Sequence, residues 1–148
     1  MNPRPSMRSA GGKIKNSIVP AGKSRTHHCG CIFPSRFFQR VIRVREMQRV
    51  VKLVHEIWPE HYRPIIGARQ VEYMLEKFQS RPAIRRQIRE GTLYFILRFR
   101  RRDAGYLAIR PDRPQPALFI SKFYVRRSLR KRGIGRQALA AVELYGLQ

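Results

Sequence analysis

A dense run of cations followed by two closely spaced glycines lies near the end of the sequence, in residues 126–136 (RRSLRKRGIGR). Gly133 and Gly135 would let the backbone approach a ligand without a Cβ in the way. The residues after them have a helical pattern, and a helix N-terminus presents unpaired N–H groups with a partial positive charge. The cations around these amides are Arg130, Lys131, Arg132 and Arg136. The segment therefore predicts a binding site for a ligand with more than one phosphate group.

Three known types of phosphate-binding loop compete for these glycines. A Walker loop requires Gly-Lys-Ser/Thr, which follows neither Gly133 nor Gly135. The hexapeptide GIGRQA matches the G-x-G-x-x-A of a dinucleotide-binding fold, but that motif directly follows its strand and precedes an acidic residue on the ribose. Here seven residues separate the strand end at Val125 from Gly133, so the glycines do not directly follow the strand. The third pattern, R-x-x-G-x-G, begins at Arg130 and fits the segment best.

A strand and a helix are expected on either side of this loop. Residues 117–125 (ALFISKFYV) are apolar on both faces apart from Ser121 and Lys122, which predicts a strand in the centre of a sheet. The helix after the loop has one apolar stripe, made by Ile134, Ala138, Leu139, Val142 and Tyr145. The loop therefore connects a strand to the N-terminus of a helix.

The upstream segment predicts a short strand and two helices. Residues 40–45 (RVIRVR) alternate as a strand does, with Val41 or Ile42 inward. The helical periodicity of residues 46–58 is expected to end at Pro59. The second helix has one apolar face, made by Val71, Met74, Leu75 and Phe78.

A third helix and a β-hairpin come next. Pro82 begins the helix and Gly91 ends it. Residues 92–100 (TLYFILRFR) and 105–110 (GYLAIR) have strand composition and are joined by a short basic turn, which predicts a hairpin.

The pattern that starts at Arg130 resembles the acetyl-coenzyme A loop of the GNAT family of N-acetyltransferases, whose motif is Q/R-x-x-G-x-G/A after a strand. The order of elements over residues 41–148 also resembles that family. The resemblance implies an α/β (α+β) fold of the GNAT acyl-CoA N-acyltransferase type, a mixed sheet flanked by helices. Because the family continues beyond this helix, residues 41–148 are expected to be a GNAT domain that lacks the final strands. We expect such a chain to bind acetyl-CoA weakly unless a partner chain or a longer form completes it.

The resemblance also implies a reaction, in which an acetyl group passes from acetyl-CoA to a primary amine by direct attack. The pyrophosphate would lie on residues 132–136, with Arg130 at the first motif position. The pantetheine arm would pair with the main chain of Phe123, Tyr124 and Val125. No metal is implied. Weak candidates for the base are Glu60, His61 and Glu72, which also suit ordinary roles as surface charges or turn packing.

Composition favours polyanions or anionic ligands as partners. The chain has 148 residues, 32 Lys and Arg against 9 Asp and Glu, and a formal net charge of +23. Residues 1–40 hold 8 of the basic residues and no acidic one, and their composition predicts a disordered basic leader. Cys29 and Cys31 have no standard zinc-ligand spacing. No apolar run reaches the roughly 18 residues of a membrane helix, so we expect a cytoplasmic protein.

Two other interpretations stay open. A basic nucleic-acid-binding protein would use its arginines on phosphates and stack bases on Phe95, Phe99 and Tyr106. The chain is also compatible with an inactive truncated fragment. The sequence does not identify the amine acceptor, which a small molecule or a protein amine would supply, and it leaves a homodimer open.

Overall fold

The structure is a computed structural model that describes residues 36–112 and 117–147. The strands are β1 Phe38–Arg40, β2 Leu93–Phe99, β3 Arg102–Asp112 and β4 Ala117–Val125. The helices are α1 Val44–Ile66, α2 Ala68–Met74, α3 Arg81–Arg89 and α4 Ile134–Gly146. A π-helical turn, Leu75–Gln79, links α2 to α3, and a 3-10 turn, Arg127–Leu129, precedes α4. None of the helices in these two ranges is long and apolar enough to cross a membrane.

The four strands form one sheet in the order β1-β2-β3-β4. A mixed sheet was predicted, but all three pairings in the described part of the sheet are antiparallel. The reason is local, because β2 and β3 form a tight hairpin and only four residues separate β3 from β4, too few for the crossover that a parallel pair requires. The predicted class, a sheet flanked by helices, is confirmed.

The sheet separates two apolar cores. One face, with Tyr94, Ile96 and Tyr106, packs against α1, α2 and α3. The alternate residues of the same strands face the other way and pack against α4, which buries Ile134 and Ala138. The period-two alternation of the strands thus gives a helix–sheet–helix sandwich.

The strand predicted over residues 40–45 is wrong in position, although the expectation that Val41 or Ile42 points inward holds for Val41. The first strand ends at Arg40, and Ile42 is 66% exposed while Val41 is buried. Helix α1 starts at Val44 because Glu46 accepts hydrogen bonds from the amides just before it, a common device at a helix start. Strand β1 lies inside the segment assigned to the basic leader. Residues 1–35, including both cysteines, lie outside the described residues.

Pro59 does not end α1, which continues to Ile66. A proline removes one helical hydrogen bond, and here tertiary contacts hold the helix beyond it. The ring of Tyr62 lies 4.7 Å from that of Trp58 and 6.5 Å from that of Tyr124. Tyr62 therefore keeps the turn after Pro59 packed on the sheet, while the residues after it, up to Ile66, are exposed.

The π-helical turn changes which side chains of the second helical segment are buried. Val71 and Leu75 are buried as predicted, but Phe78 is 39% exposed and Gln79 takes the inward position. A π turn adds residues per turn, so the face predicted from a 3.6-residue period moves by one position. In α4, Leu139 is likewise exposed, and Ala141 is buried in its place.

Strand β4 has the predicted bounds but not the predicted place. It lies at an edge of the described sheet, and Phe119 and Ile120 are exposed. Its outer main-chain edge has no neighbouring strand in the part of the chain that the structure describes.

Candidate functional site

The loop after β4 is short and well connected to the sheet. Arg126 donates its main-chain N–H to the carbonyl of Ala104 at 2.8 Å, which extends the β3–β4 pairing by one residue. The Nε of Arg130 donates to the carbonyl of Val125 at 3.1 Å. This bond folds the basic loop back over the end of β4.

The loop then turns sharply into α4. Lys131 has φ +61° and Gly133 has φ +77°, so the chain enters the left-handed region twice before the helix begins. Gly133 suits that conformation because it has no Cβ. The first helical bond runs from the amide of Gln137 to the carbonyl of Gly133, and no side chain caps this end. The amides of Ile134, Gly135 and Arg136 precede that bond and have no acceptor in the helix itself.

A cavity of about 470 Å³ lies at this strand-to-helix junction. Its lining residues are Val125, Leu129, Arg130, Lys131, Gly133, Ile134, Gly135 and Arg136. Most of the residues that the motif singled out therefore surround one cavity. Leu129 also lines it, and no signal in the motif pointed to it. Arg132 is exposed and does not line the cavity.

The cavity is bordered by β4. Phe123 and Val125 pack on the α4 side, and Phe123 Cζ would lie 3.7 Å from a Cβ added to Gly135. Tyr124 points to the other face, towards α1. The main chain of these three residues follows the open edge of the sheet.

Gly105 sets the course of β4 at this point. A Cβ added to Gly105 would lie 2.0 Å from the carbonyl oxygen of Tyr124, closer than any real side chain allows. The glycine thus permits the end of β4 to approach β3. Because Gly105 pairs with Val125, this close contact lies beside the cavity.

An aromatic cluster covers the α1 side of the same strand end. The Trp58 indole donates to the hydroxyl of Tyr106 at 3.0 Å, and Tyr106 stacks on Tyr124 with ring centroids 5.2 Å apart. The hydroxyls of Tyr62 and Tyr124 are 3.4 Å apart. Burial raises the pKa of Tyr124 above its usual value, so this hydroxyl keeps its proton at neutral pH. The sequence pattern gave no sign of this cluster, since Trp58 and Tyr62 are far from Tyr106 and Tyr124 in the chain.

Comparison with known proteins identifies the family. A model of the acetyltransferase (GNAT) family matches residues 50–148, which include the loop and β4. The chain belongs to the GNAT acetyltransferase family. It is thus a transferase, and the resemblance that the loop motif indicated is confirmed.

A solved GNAT structure has the same fold. It is the PaiA N-acetyltransferase from Thermoplasma acidophilum in complex with coenzyme A. The TM-score is 0.61 at 13% identity, and the match covers 74% of this chain and 71% of that chain. At this identity the likeness shows the fold alone. A search of curated proteins found no significant match.

Three candidates for the base in this GNAT domain lie on α1 and α2. Glu60 is close to Arg127, with 4.0 Å between the carboxylate oxygen and the guanidinium nitrogen. His61 is exposed, and its ring packs edge-on against Tyr62 at 4.7 Å. Glu72 is exposed on α2. The structure therefore brings Glu60 next to the loop after β4 and does not gather the three at one point.

A second ion pair strengthens the link between α1 and this loop. Glu56 and Arg126 are 2.7 Å apart, and the Arg126 side chain is mostly buried. Together with Glu60 and Arg127, this pair joins α1 to the residues directly after β4.

Proposed function

We propose that this chain transfers an acetyl group from acetyl-CoA to a primary amine. The observation that carries the proposal is the cation-lined cavity at the N-terminus of α4, beside the open edge of β4. A diphosphate is a good ligand for such a site because free amides and arginines both favour negative charge. The open strand edge next to it suits an extended chain that carries amide groups.

Two sets of residues would bind different parts of acetyl-CoA. The amides of Ile134, Gly135 and Arg136, with the side chains of Arg130 and Lys131, would hold the pyrophosphate of the donor. The main chain at Phe123–Val125 would pair with the pantetheine arm. Bound there, acetyl-CoA supplies an activated thioester as the acetyl source.

Direct attack requires an uncharged amine, so a proton must leave the acceptor. Glu60 is our leading candidate among the three carboxylate and histidine side chains because it forms an ion pair with Arg127 in the loop after β4. The protonated hydroxyl of Tyr124 lies on the same side of the sheet, 3.4 Å from that of Tyr62, and can act as a hydrogen-bond donor. In support, Glu60 belongs to α1 and the Tyr124 side chain packs towards α1, so both lie opposite the α4 side of the sheet.

Calorimetric titration with coenzyme A tests the binding step. Gly135→Leu would place a bulky side chain between α4 and Phe123, and we expect it to weaken binding by about 10-fold or more. Gly135→Ala is the matched control, since its Cβ has ordinary contact distances. Equal affinity for Gly135→Leu and the unaltered chain would exclude this cavity as the donor site.

The transfer step has its own readout, the release of free thiol from acetyl-CoA in the presence of an amine panel. We expect thiol release above the hydrolysis background with at least one primary amine, and a lower rate in Gly135→Leu when the donor concentration is below saturation. Thiol release that is independent of any amine would contradict the proposed acceptor class.

A further inference from the structure

A second basic cavity lies at the tip of the β2–β3 hairpin. It has a volume of about 600 Å³, and its lining residues in the described ranges are Arg36, Arg98, Arg100 and Arg101. All four carry a positive charge at neutral pH. Four like charges around one concavity focus a positive potential there, so the site attracts anions.

The local carboxylate does not neutralise these arginines. Asp103 is the only acidic residue between residues 91 and 111. Arg49 already binds both of its oxygens, with Nε 2.8 Å from one of them. The four arginines of the cavity therefore keep their charge unpaired by Asp103.

One donor of the cavity is also buried without an acceptor. The Nε of Arg98 has no hydrogen-bond partner among the described residues and is shielded from solvent. A buried donor without a partner is unfavourable, and an anion in the cavity is the type of group that would satisfy it.

The two residues of the turn have a backbone conformation that is unfavourable for arginine. Arg100 has φ +46° and Arg101 has φ +65°, both in the left-handed region. Phe99 pairs with Arg102, so these two residues form a two-residue hairpin turn, for which Asn-Gly is the favoured sequence. The chain thus has two arginines where local structure favours small residues.

We propose that the hairpin tip is an anion-binding site that takes a ligand with several phosphate groups. Planar guanidinium groups bind phosphate oxygens in pairs, and four of them match a chain of phosphates better than a single carboxylate. Either a free oligophosphate or a nucleic-acid backbone could supply this chemistry. The site is distinct from the cavity at α4, although both lie at the same end of the sheet, where Gly105 pairs with Val125.

A turn variant tests the site without harming the fold. Arg100→Asn with Arg101→Gly removes two charges and gives the turn its favoured sequence, so we expect it to be at least as stable as the unaltered chain. The matched control is Arg81→Gln with Arg85→Gln on α3, which also removes two charges. Both control positions are exposed, and α3 leads into the opposite end of β2.

Calorimetric titration with inorganic tripolyphosphate at low salt gives the readout. We expect the turn variant to bind about 10-fold or more weakly and the α3 control to change by less than about 2-fold. Gly135→Leu, which fills the α4 cavity, should retain the hairpin binding. Equal losses in the turn variant and the α3 control would overturn the proposal. If Gly135→Leu alone lost tripolyphosphate binding, the ligand would belong to the α4 cavity and the proposal would also be overturned.

A labelled single-stranded RNA of about 20 nucleotides separates the two sources of phosphate. If nucleic acid is the ligand, the turn variant loses RNA and tripolyphosphate binding together, and RNA affinity falls steeply with salt. If a free oligophosphate is the ligand, the turn variant loses tripolyphosphate binding while its RNA affinity equals that of the α3 control. In a parallel titration, coenzyme A should bind the turn variant and the α3 control with equal affinity. The test of the hairpin site is therefore independent of the proposed transferase function.

Discussion

At the scale of single residues, Tyr124 takes part in two places, the open edge of β4 and the face of the sheet that packs on α1. Its main chain lies on the open edge of β4, where we expect the donor, and its hydroxyl lies 3.4 Å from that of Tyr62 on the α1 side. One residue therefore joins the proposed donor site to the side from which an acceptor would come.

Removal of the Tyr124 hydroxyl separates these two contributions. We expect Tyr124→Phe to lower the rate of amine acetylation by roughly 10-fold or more, because the protonated donor on the α1 side is lost. The affinity for coenzyme A should stay the same, since the main chain is unaltered. Thiol release under saturating donor and calorimetry measure the two quantities. An unchanged rate would show that the hydroxyl takes no part.

Among the described glycines, Gly105 leaves the least room for a side chain. The Cβ of Gly105→Ala would collide with the main chain of β4, which cannot rotate away as a side chain can. We expect the free energy of unfolding to fall by about 3 kcal/mol, which urea denaturation measures. Gly135→Ala, with ordinary contacts, should change stability far less. Similar values for the two variants would contradict this account.

Lys122 gives the folded chain a dependence on pH. Burial lowers its pKa from the usual 10.5 to about 8, and its ammonium donates to Gln87 at 2.7 Å. The folded state therefore binds this proton less tightly than the unfolded state, so the burial of Lys122 costs stability below about pH 8. That cost disappears as the pH rises from about 8 towards 10.5.

The measurement compares urea unfolding of the chain and of Lys122→Met between pH 7 and pH 9.5. We expect the free energy of unfolding of the chain to rise relative to that of Lys122→Met over this range, because the variant has no proton to release. The buried tyrosines act in the opposite sense only above their usual pKa near 10. Parallel curves for the two proteins would contradict the shift.

At the element scale, α1 is the helix that continues through a proline. Pro59 cannot donate to the carbonyl of His55, so one helical bond is missing in the middle of the helix. We expect Pro59→Ala to raise the free energy of unfolding by about 2 kcal/mol, as thermal or urea denaturation would measure. Pro64→Ala, near the exposed end of α1, should have a smaller effect. A loss of stability in Pro59→Ala would mean that its ring packing outweighs the missing bond.

The elements also show what sequence patterns can and cannot predict. The bounds of β4 and the start of α3 were predictable, because β-prone apolar residues and a proline near a capping serine act locally. The course of α1 beyond Pro59 was not, since it depends on Tyr62 meeting residues of the sheet. The π turn was not predictable either, because a search for a 3.6-residue period assumes regular α-helical turns.

The candidate site divides in the same way. The glycines and cations of the loop were predictable because they are neighbours in the chain, and seven of the ten predicted donor-site residues line one cavity. The hydroxyl pair of Tyr62 and Tyr124 was not predictable, because the two residues are 62 positions apart in the chain. Contacts of this kind arise only when α1 packs on β4.

For the whole molecule, the distribution of charge matters more than its total. Both basic cavities lie at the sheet end where the hairpin turns and β4 finishes, since Gly105 pairs with Val125 there. Acidic residues at that end are engaged, with Asp103 bound to Arg49 and Glu56 to Arg126. Anions approaching the protein should therefore be drawn to this end first.

The open edge of β4 has a consequence for the protein in solution. Exposed Phe119 and Ile120 lie on a strand whose outer edge has no neighbour in the described part of the chain, which would let two copies join edge to edge. Mutual repulsion between chains of charge +23 opposes that contact. Added sodium chloride screens the repulsion. We expect light scattering to show larger particles as salt increases, and Ile120→Lys to delay their growth. Particle size that is independent of salt would mean that charge is not what keeps the copies apart.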